Sequence, residues 1–445
     1  MRIIACGDAL FSSRSLAKRL DKRLVAKLAD ADAVFANAEF CCPKHTTPPA
    51  AGRGYITAVK PETLDEFVNL NIKMVSFANN HTGDFGWQGV VDTIEAAEKR
   101  GLIHCGIGRS LEDARTARFL DTPNGRVAVV AVCTTRSEVF AGSTAGAGVA
   151  ARPGLNPLRW GRSYVLPDKE FFQLQDMTEL LGTAASTREG ARIEVMPDQG
   201  PDSFKFGSLF ESAVQIERGE RAQVRTWMNP KDCDAILKSV RDAVNRADAV
   251  ILSLHTHEGE DDNWYSELPP AFIEDFARQA IDAGAHAVVG HGAHFLRGIE
   301  IYRKRPIFYN LGSILMEFEA GESIVAPEMY EAYGYANDAR PSDLHRARAK
   351  DKDGNFHGFA SESRFSKNCL AALQIENDAV CFTLTPLDLG MSRPRPLERG
   401  LPVIPDAAMG HEIAADLTRL SKKYHTVLRY DEQTGTIALA VEQPQ

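Results

Sequence analysis

Ala285-His286-Ala287-Val288-Val289-Gly290-His291-Gly292-Ala293-His294 is the stretch whose reading decides the fold. An apolar run of strand length stops at a glycine, and two imidazoles three positions apart follow on what the pattern predicts is a loop. Neutral imidazole is the commonest transition-metal ligand, and a glycine-punctuated loop leaving a strand end can aim two of them at one point. Taken alone, the pair is explained equally well by two unrelated histidines, one capping a turn and one packed. The decision rests on how many other ligand-type side chains stand at strand ends.

Working outward, several do. The buried run Ala249 to Leu254 delivers His255-Thr256-His257-Glu258, and in a strand His255 and His257 project to one face, as two ligands or as a ligand and its supporting partner. Met74 to Ala78 ends in Asn79-Asn80-His81, where an amide oxygen suits a hard divalent ion and the adjacent imidazole can donate a proton. Arg2 to Cys6 ends at Gly7-Asp8, and Asp32 to Phe40 carries Glu39 at its end. Helical spacing is read over Ser15 to Ala29, from Pro61, over Trp87 to Arg100, Asp168 to Leu181, Pro230 to Arg246 and Pro269 to Ala283. Gly106-Ile107-Gly108 reads as a tight turn, since the third glycine of a nucleotide fingerprint is missing.

Composition narrows the function classes. With 445 residues, 44% of them hydrophobic, the chain has material for a large core, in two or three domains or one elaborated one. A formal net charge of -9 is no footprint for nucleic acid or an anionic membrane. The eight cysteines lack metal-type CxxC spacing and sit mostly in apolar runs, as reduced thiols of a cytoplasmic protein do. The first residues reach Asp8 too soon for a signal peptide, and no apolar run approaches the roughly 18 residues of a membrane span, so a soluble, cytoplasmic protein is expected.

Three stretches interrupt the pattern. Thr134 to Trp160 turns to Gly, Ala, Ser and Pro and reads as a mobile loop or lid whose Arg136, Arg152 and Arg159 are candidates to clamp an acidic substrate. Gly190 to Met228 mixes short β-like runs with Gly and Pro and is taken as an insertion. Glu319 to Lys367 is long and polar, and reads as a second lid or a partly disordered stretch. A closing hairpin is expected at Cys369 to Ile375 and Ala379 to Leu384, then a helix from Asp406 to Lys423 and a strand, turn and strand from Thr426 to Val441.

Gly7-Asp8, Asn37-Ala38-Glu39, Asn79-Asn80-His81 with Asp84 and Gly86, His255 to Glu258, and Gly290-His291-x-x-His294 through Gly298-Ile299-Glu300-x-Tyr302 to Tyr309-x-Leu311-Gly312 occur in the order seen in the CapA family. In these motifs, over roughly Met1 to Met316, the chain resembles this family of bacterial capsule and poly-γ-glutamate synthesis proteins, itself similar to the calcineurin-like metallophosphoesterases. The resemblance implies an α/β fold: a four-layer α/β/β/α sandwich with insertions at about 134–160, 187–228 and 319–367, spanning 1–390, and a small helix-plus-hairpin extension over 391–445. It implies a metal set of Asp8, Glu39, Asn80, His255, His291 and His294 for one or two divalent ions (Mn, Zn or Fe), with His81 the catalytic acid. His257 is placed beside it in the catalytic set, or as a further ligand or ligand partner. Leu10 stands where the phosphoesterases carry a histidine, which leaves the number of metals open. The implied function is a soluble metal-dependent hydrolase of a small or polymeric anionic substrate, cleaving a γ-glutamyl-type amide or a phosphoester. The other class is a non-catalytic accessory or binding protein for poly-γ-glutamate or capsule polymer synthesis.

Overall fold

The structure, a computed structural model, describes residues 1–440 apart from 53, 195–199, 208–212, 318, 320–321 and 377. Val441 and parts of the 187–228 insertion lie outside the described residues.

Two large sheets carry the molecule. The first has nine strands, in the order Leu428–Asp431, Thr436–Leu439, Ala379–Asp388, Lys367–Glu376, Arg2–Phe11, Ala33–Ala38, Met74–Ser76 and Ile103–Cys105, with Ser313–Glu317 pairing beside the far half of Arg2–Phe11. The second has six, in the order Ile299–Tyr302, Arg305–Phe308, Ala287–Gly292, Ala249–Thr256, Gly125–Cys133 and Arg118–Thr122. Strand runs such as Val127 to Cys133 are apolar at nearly every position because both of their faces are covered. Alternation then sorts the side chains. Val127, Val129, Ala131, Ile251 and Val289 share a core with the first sheet. Ala128, Val130, Val132, Val250, Leu252 and Val288 pack instead with Ile236 and Val240 of helix Pro230–Val244 and with Phe272 and Phe276 of helix Ala271–Asp282.

What matters for function is that the central strands are parallel and end level. In the first sheet Asp8 is in register with Asn37 and with Ser313, and Asn37 with Ser76. In the second, His255 is in register with both His291 and Cys133. Gly7 lets this happen, since a Cβ there would strike the Gly312 carbonyl.

Some local expectations change. Ser15 to Ala29 forms two helices, Leu16–Arg19 and Lys22–Ala29, because Leu20 is extended and Asp21 caps the second helix by accepting from the Arg23 amide. His291 belongs to strand Ala287–Gly292, and only His294, with φ of 65°, sits on the turn beyond. The 134–160 stretch is tied down: Gly154–Leu155 pairs with Ile107–Gly108, and the Asn156 amide donates to the Ala131 carbonyl. Strands Trp160–Leu166, Ser203–Phe206, Val214–Arg218 and Gln223–Met228 build a separate four-stranded sheet around Phe171, Phe204 and Ile216. The stretch after Glu319 holds helices Pro327–Ala332 and Pro341–Ala349, each with proline in its first turn, and a short strand Ser323–Ile324 that pairs with Ala58–Val59. The C-terminal hairpin extends the first sheet through the pairing of Ile437 with Leu384. Among the described residues no helix is long and apolar enough to cross a membrane.

Candidate metal centre

The level strand ends of the two sheets bring six side chains into two adjoining groups. Asp8, His255 and His291 form one, and Glu39, His257 and His294 the other. In the first, His291 Nδ1 is 3.3 Å and His255 Nδ1 3.7 Å from Asp8 Oδ1, and the two Nδ1 atoms are 3.1 Å apart. In the second, His257 Nε2 is 3.5 Å from Glu39 Oε1 and His294 Nδ1 3.6 Å from Glu39 Oε2. His294 Nδ1 also lies 3.3 Å from Asp8 Oδ2, which makes Asp8 the bridge between the groups.

The outer atoms of these rings are held. His255 Nε2 meets Asn80 Oδ1 at 2.8 Å, so its Nδ1 is the lone-pair nitrogen, and His291 Nε2 meets Ser253 Oγ at 2.8 Å. Asn37 donates to Asp8 Oδ1 at 2.8 Å and the Gly292 amide to Asp8 Oδ2 at 2.7 Å. Such partners orient ligating side chains. Behind His257, the Glu258 carboxylate accepts from Thr134, Thr135 and Thr256, and the buried Arg297 donates to the His257 and Glu258 carbonyls.

The fit to a cation rests on what these atoms lack. Among the described residues, both oxygens of Glu39 and the Nε2 of His257 are buried without a hydrogen-bond partner. In proteins at large, buried polar groups are almost always satisfied, and here three such atoms converge on one point. Two nitrogens facing each other at 3.1 Å likewise need a proton or a metal between them. The electrostatics agree. Burial, then Asp8, holds the Glu39 carboxyl well above the usual carboxylate range. Burial holds His255 and His257 well below the usual imidazole value. Burial raises Asp8 too, but hydrogen bonds and charge from His291 and His294 outweigh it and hold it well below its ordinary value. Imidazoles kept neutral in this way retain the lone pair that a metal ion would need.

His81 stands beside the groups. Its Nδ1 donates to Asp84 Oδ2 at 2.6 Å and its Nε2 lies 3.3 Å from Thr57 Oγ1. Asp84, an acceptor only, fixes the ring's tautomer and orientation.

Of the expected site residues, Asp8, Glu39, His255, His257, His291 and His294 come together and Asn80 reaches them through His255. Glu39, Asn80, His81, His257, His294 and Arg136 all face one cavity of about 660 Å³. Arg152 and Arg159 do not line it: Arg159 is gripped by both oxygens of Asp232 at 2.7 Å, and Arg152 donates to the Ala141 carbonyl. Sequence reasoning passed over Asn37 and Ser253. Each stands two positions before a ligand-type residue, Glu39 and His255, and so on the same face of its strand. The cavity's Tyr55, Trp264, Arg348 and Phe359 carried no signal of this kind.

The chain matches the bacterial capsule synthesis protein family, PGA_cap, over residues 2–317. It is 30% identical to an uncharacterized protein of Sinorhizobium fredii, over 98% of this chain and 93% of that one. It is 22% identical to the capsule biosynthesis protein CapA of Bacillus anthracis, over 58% of this chain and 44% of that protein. To the probable polyglutamine synthesis accessory protein of Mycobacterium tuberculosis it is 27% identical, over 58% of this chain and 49% of that protein. The chain thus spans about half the length of these two relatives. A solved structure of a phosphatase from Mycoplasma pneumoniae aligns with a TM-score of 0.39 at 10% identity, over 90% of this chain and 96% of that one.

Proposed function

The chain belongs to the bacterial capsule synthesis protein family, and from that premise we propose that it is a metal-dependent hydrolase acting in the cytoplasm on an anionic substrate, a phosphoester or a γ-glutamyl-type amide. The observation that carries this reading is the pair of buried ligand groups, Glu39 and His257, whose facing atoms have no hydrogen-bond partner among the described residues, set against Asp8 and three further imidazoles. Asp8, His255 and His291 would hold one divalent ion and Glu39, His257 and His294 a second, with Asp8 between them; mixed nitrogen and oxygen ligands suit Mn, Zn or Fe. A bound ion of this kind supplies a water activated for attack near neutral pH.

The chain's own residues do the rest. Asp84 holds His81 with Nε2 toward the cavity, where it can hand a proton to the leaving group, a contribution on the order of 100- to 10,000-fold. Arg136 lines the cavity without an ion pair among the described residues, which supports it as the group that receives the substrate's acidic end.

Elemental analysis tests the reading. One to two equivalents of Mn, Zn or Fe, lost when His291 and His294 are both changed to alanine, is the expected result. A protein that neither holds nor takes up metal would overturn it in favour of the accessory reading, which the name of the mycobacterial relative supports. His81→Ala separates the two as well: turnover falls in an enzyme, and polymer binding stays in an accessory protein.

A further inference from the structure

The residues around the metal centre share an unusual neighbour. Three of the imidazoles that face the cavity, His81, His257 and His294, each have an aromatic ring beside them. Trp264 lies 5.0 Å from His257 between ring centroids, Phe359 lies 5.7 Å from His294, and Tyr55 lies 6.1 Å from His81. Tyr265 and Tyr333 line the same cavity. Trp264 is 41% exposed, Tyr265 56% and Tyr333 43%. Large apolar side chains scattered singly over a surface need no explanation, but several gathered around one cavity mark a binding surface. Rings also supply wide contact area with few torsions to freeze.

The charges point the same way. The Arg348 guanidinium sits 3.9 Å over the Tyr55 ring, and among the described residues no carboxylate pairs with it. Arg399, in the same cavity, is by contrast paired with Glu319 at 3.0 Å. A cation without a carboxylate partner over an aromatic face, in the cavity that Arg136 also lines, calls for an acidic ligand.

The position of these residues in the chain separates chemistry from selection. Half of the residues lining the cavity come from beyond position 317, where the family match ends, and they include Tyr333, Arg348 and Phe359. The Bacillus anthracis and Mycobacterium tuberculosis relatives align with 58% of the chain, whereas the Sinorhizobium protein aligns with 98%. The metal-group residues therefore lie within the matched region, and much of the wall that meets the substrate lies outside it. A polyglutamate chain has no ring for that wall to hold.

We propose that this cavity takes a small acidic molecule bearing a planar aromatic or heteroaromatic ring, the ring lying among Trp264, Phe359 and Tyr333 and the acidic group reaching the metal-site residues. The proposal rests on the reading of the Asp8 to His294 set as a metal centre. A volume of about 660 Å³ accommodates one such molecule.

Titration calorimetry of the manganese-loaded protein with phenylphosphonate and with methylphosphonate tests it, because the two share a head group and differ in the ring. Phenylphosphonate is expected to bind about tenfold tighter or more, with that preference reduced severalfold in Trp264→Ala and kept in Trp264→Phe. Trp264 is exposed enough for both variants to fold. Equal affinity for the two phosphonates, or a preference untouched in Trp264→Ala, overturns the ring and leaves the metal centre standing. No binding of either phosphonate to loaded protein likewise overturns the ring and leaves the metal centre standing, whereas failure to take up manganese, zinc or iron overturns both.

Discussion

In the floor beneath the cavity, Asp8, His255 and His291 are wholly buried on parallel strands whose neighbours fix them in register, whereas the cover between 323 and 360 is assembled from a two-residue strand, two short helices and a turn of 3-10 helix. The floor is anchored in the main core; the cover rests on a small cluster of its own, Ala326, Met329, Tyr330 and Leu344 against Ile56, Ala58 and Phe85. On the proposed function, the difference would give chemistry to the more firmly anchored part and substrate contact to the part that can vary without disturbing it. Perturbing the floor should therefore cost metal and turnover, and perturbing the cover should cost neither metal nor global stability.

The largest effect is expected from the floor itself. Changing His255 to alanine should remove the bound metal and reduce turnover to background, with the thermal midpoint of the metal-free protein little changed. Arg348→Ala in the cover should keep its full metal content. Equal metal loss in both variants, read by elemental analysis, would erase the distinction between floor and cover.

His81→Ala comes next. It should lower the rate by about 100- to 10,000-fold while metal content stays at the wild-type value, because His81 touches Asp84 and Thr57 and none of the six ligand-type groups. If metal is lost along with activity, His81 belongs to the ligand set instead.

A smaller effect on the floor tests its supporting atoms. Removing the Ser253 hydroxyl, 2.8 Å from His291 Nε2, should weaken metal affinity about 10- to 100-fold by freeing the ring to turn. Competition against a chelator measures this, and unchanged affinity would make Ser253 a bystander.

The same contrast governs what could be read before the structure. Asp8, His81, His255 and His291 stand where an apolar run gives way to a polar residue, so strand period and strand end together point to them. Asn37 and Ser253 were legible by the same rule, two positions before Glu39 and His255, but each is polar within an otherwise apolar strand and reads as tolerated burial. Arg152 and Arg159 were assigned by type alone, and a loop arginine takes the nearest acceptor, here the Ala141 carbonyl and the Asp232 carboxylate. Helix Ser15 to Ala29 failed for a related reason: its leucine spacing continues through Leu20, but Asp21 restarts the helix as a cap. Tyr55, Trp264, Arg348 and Phe359 meet only because the cover folds back over the strand ends. No local pattern encodes a contact between positions 55 and 348.

The mildest test loosens the cover alone. His345 is buried in helix Pro341–Ala349, where its Nε2 lies 2.7 Å from Ser323 Oγ, and burial, helped by Arg348, pushes its pKa down to about 3 from 6.5. An imidazole with a depressed folded pKa is neutral in the folded cover and takes up a proton when the cover opens. Its contribution is therefore complete above about pH 6.5 and is lost as the pH falls toward 3, at about 1.4 kcal/mol per pH unit at most. Between pH 7 and pH 5 the amides of 341–349 should lose hydrogen-exchange protection by an order of magnitude or more, beyond the ordinary change in chemical exchange rate, while those of Ala249–Thr256 hold theirs. The extra loss should vanish in His345→Gln, which cannot take up the proton. Protection that falls equally in the strand and the helix would mean that floor and cover unfold as one unit, and the contrast between them would be one of architecture without a difference in stability.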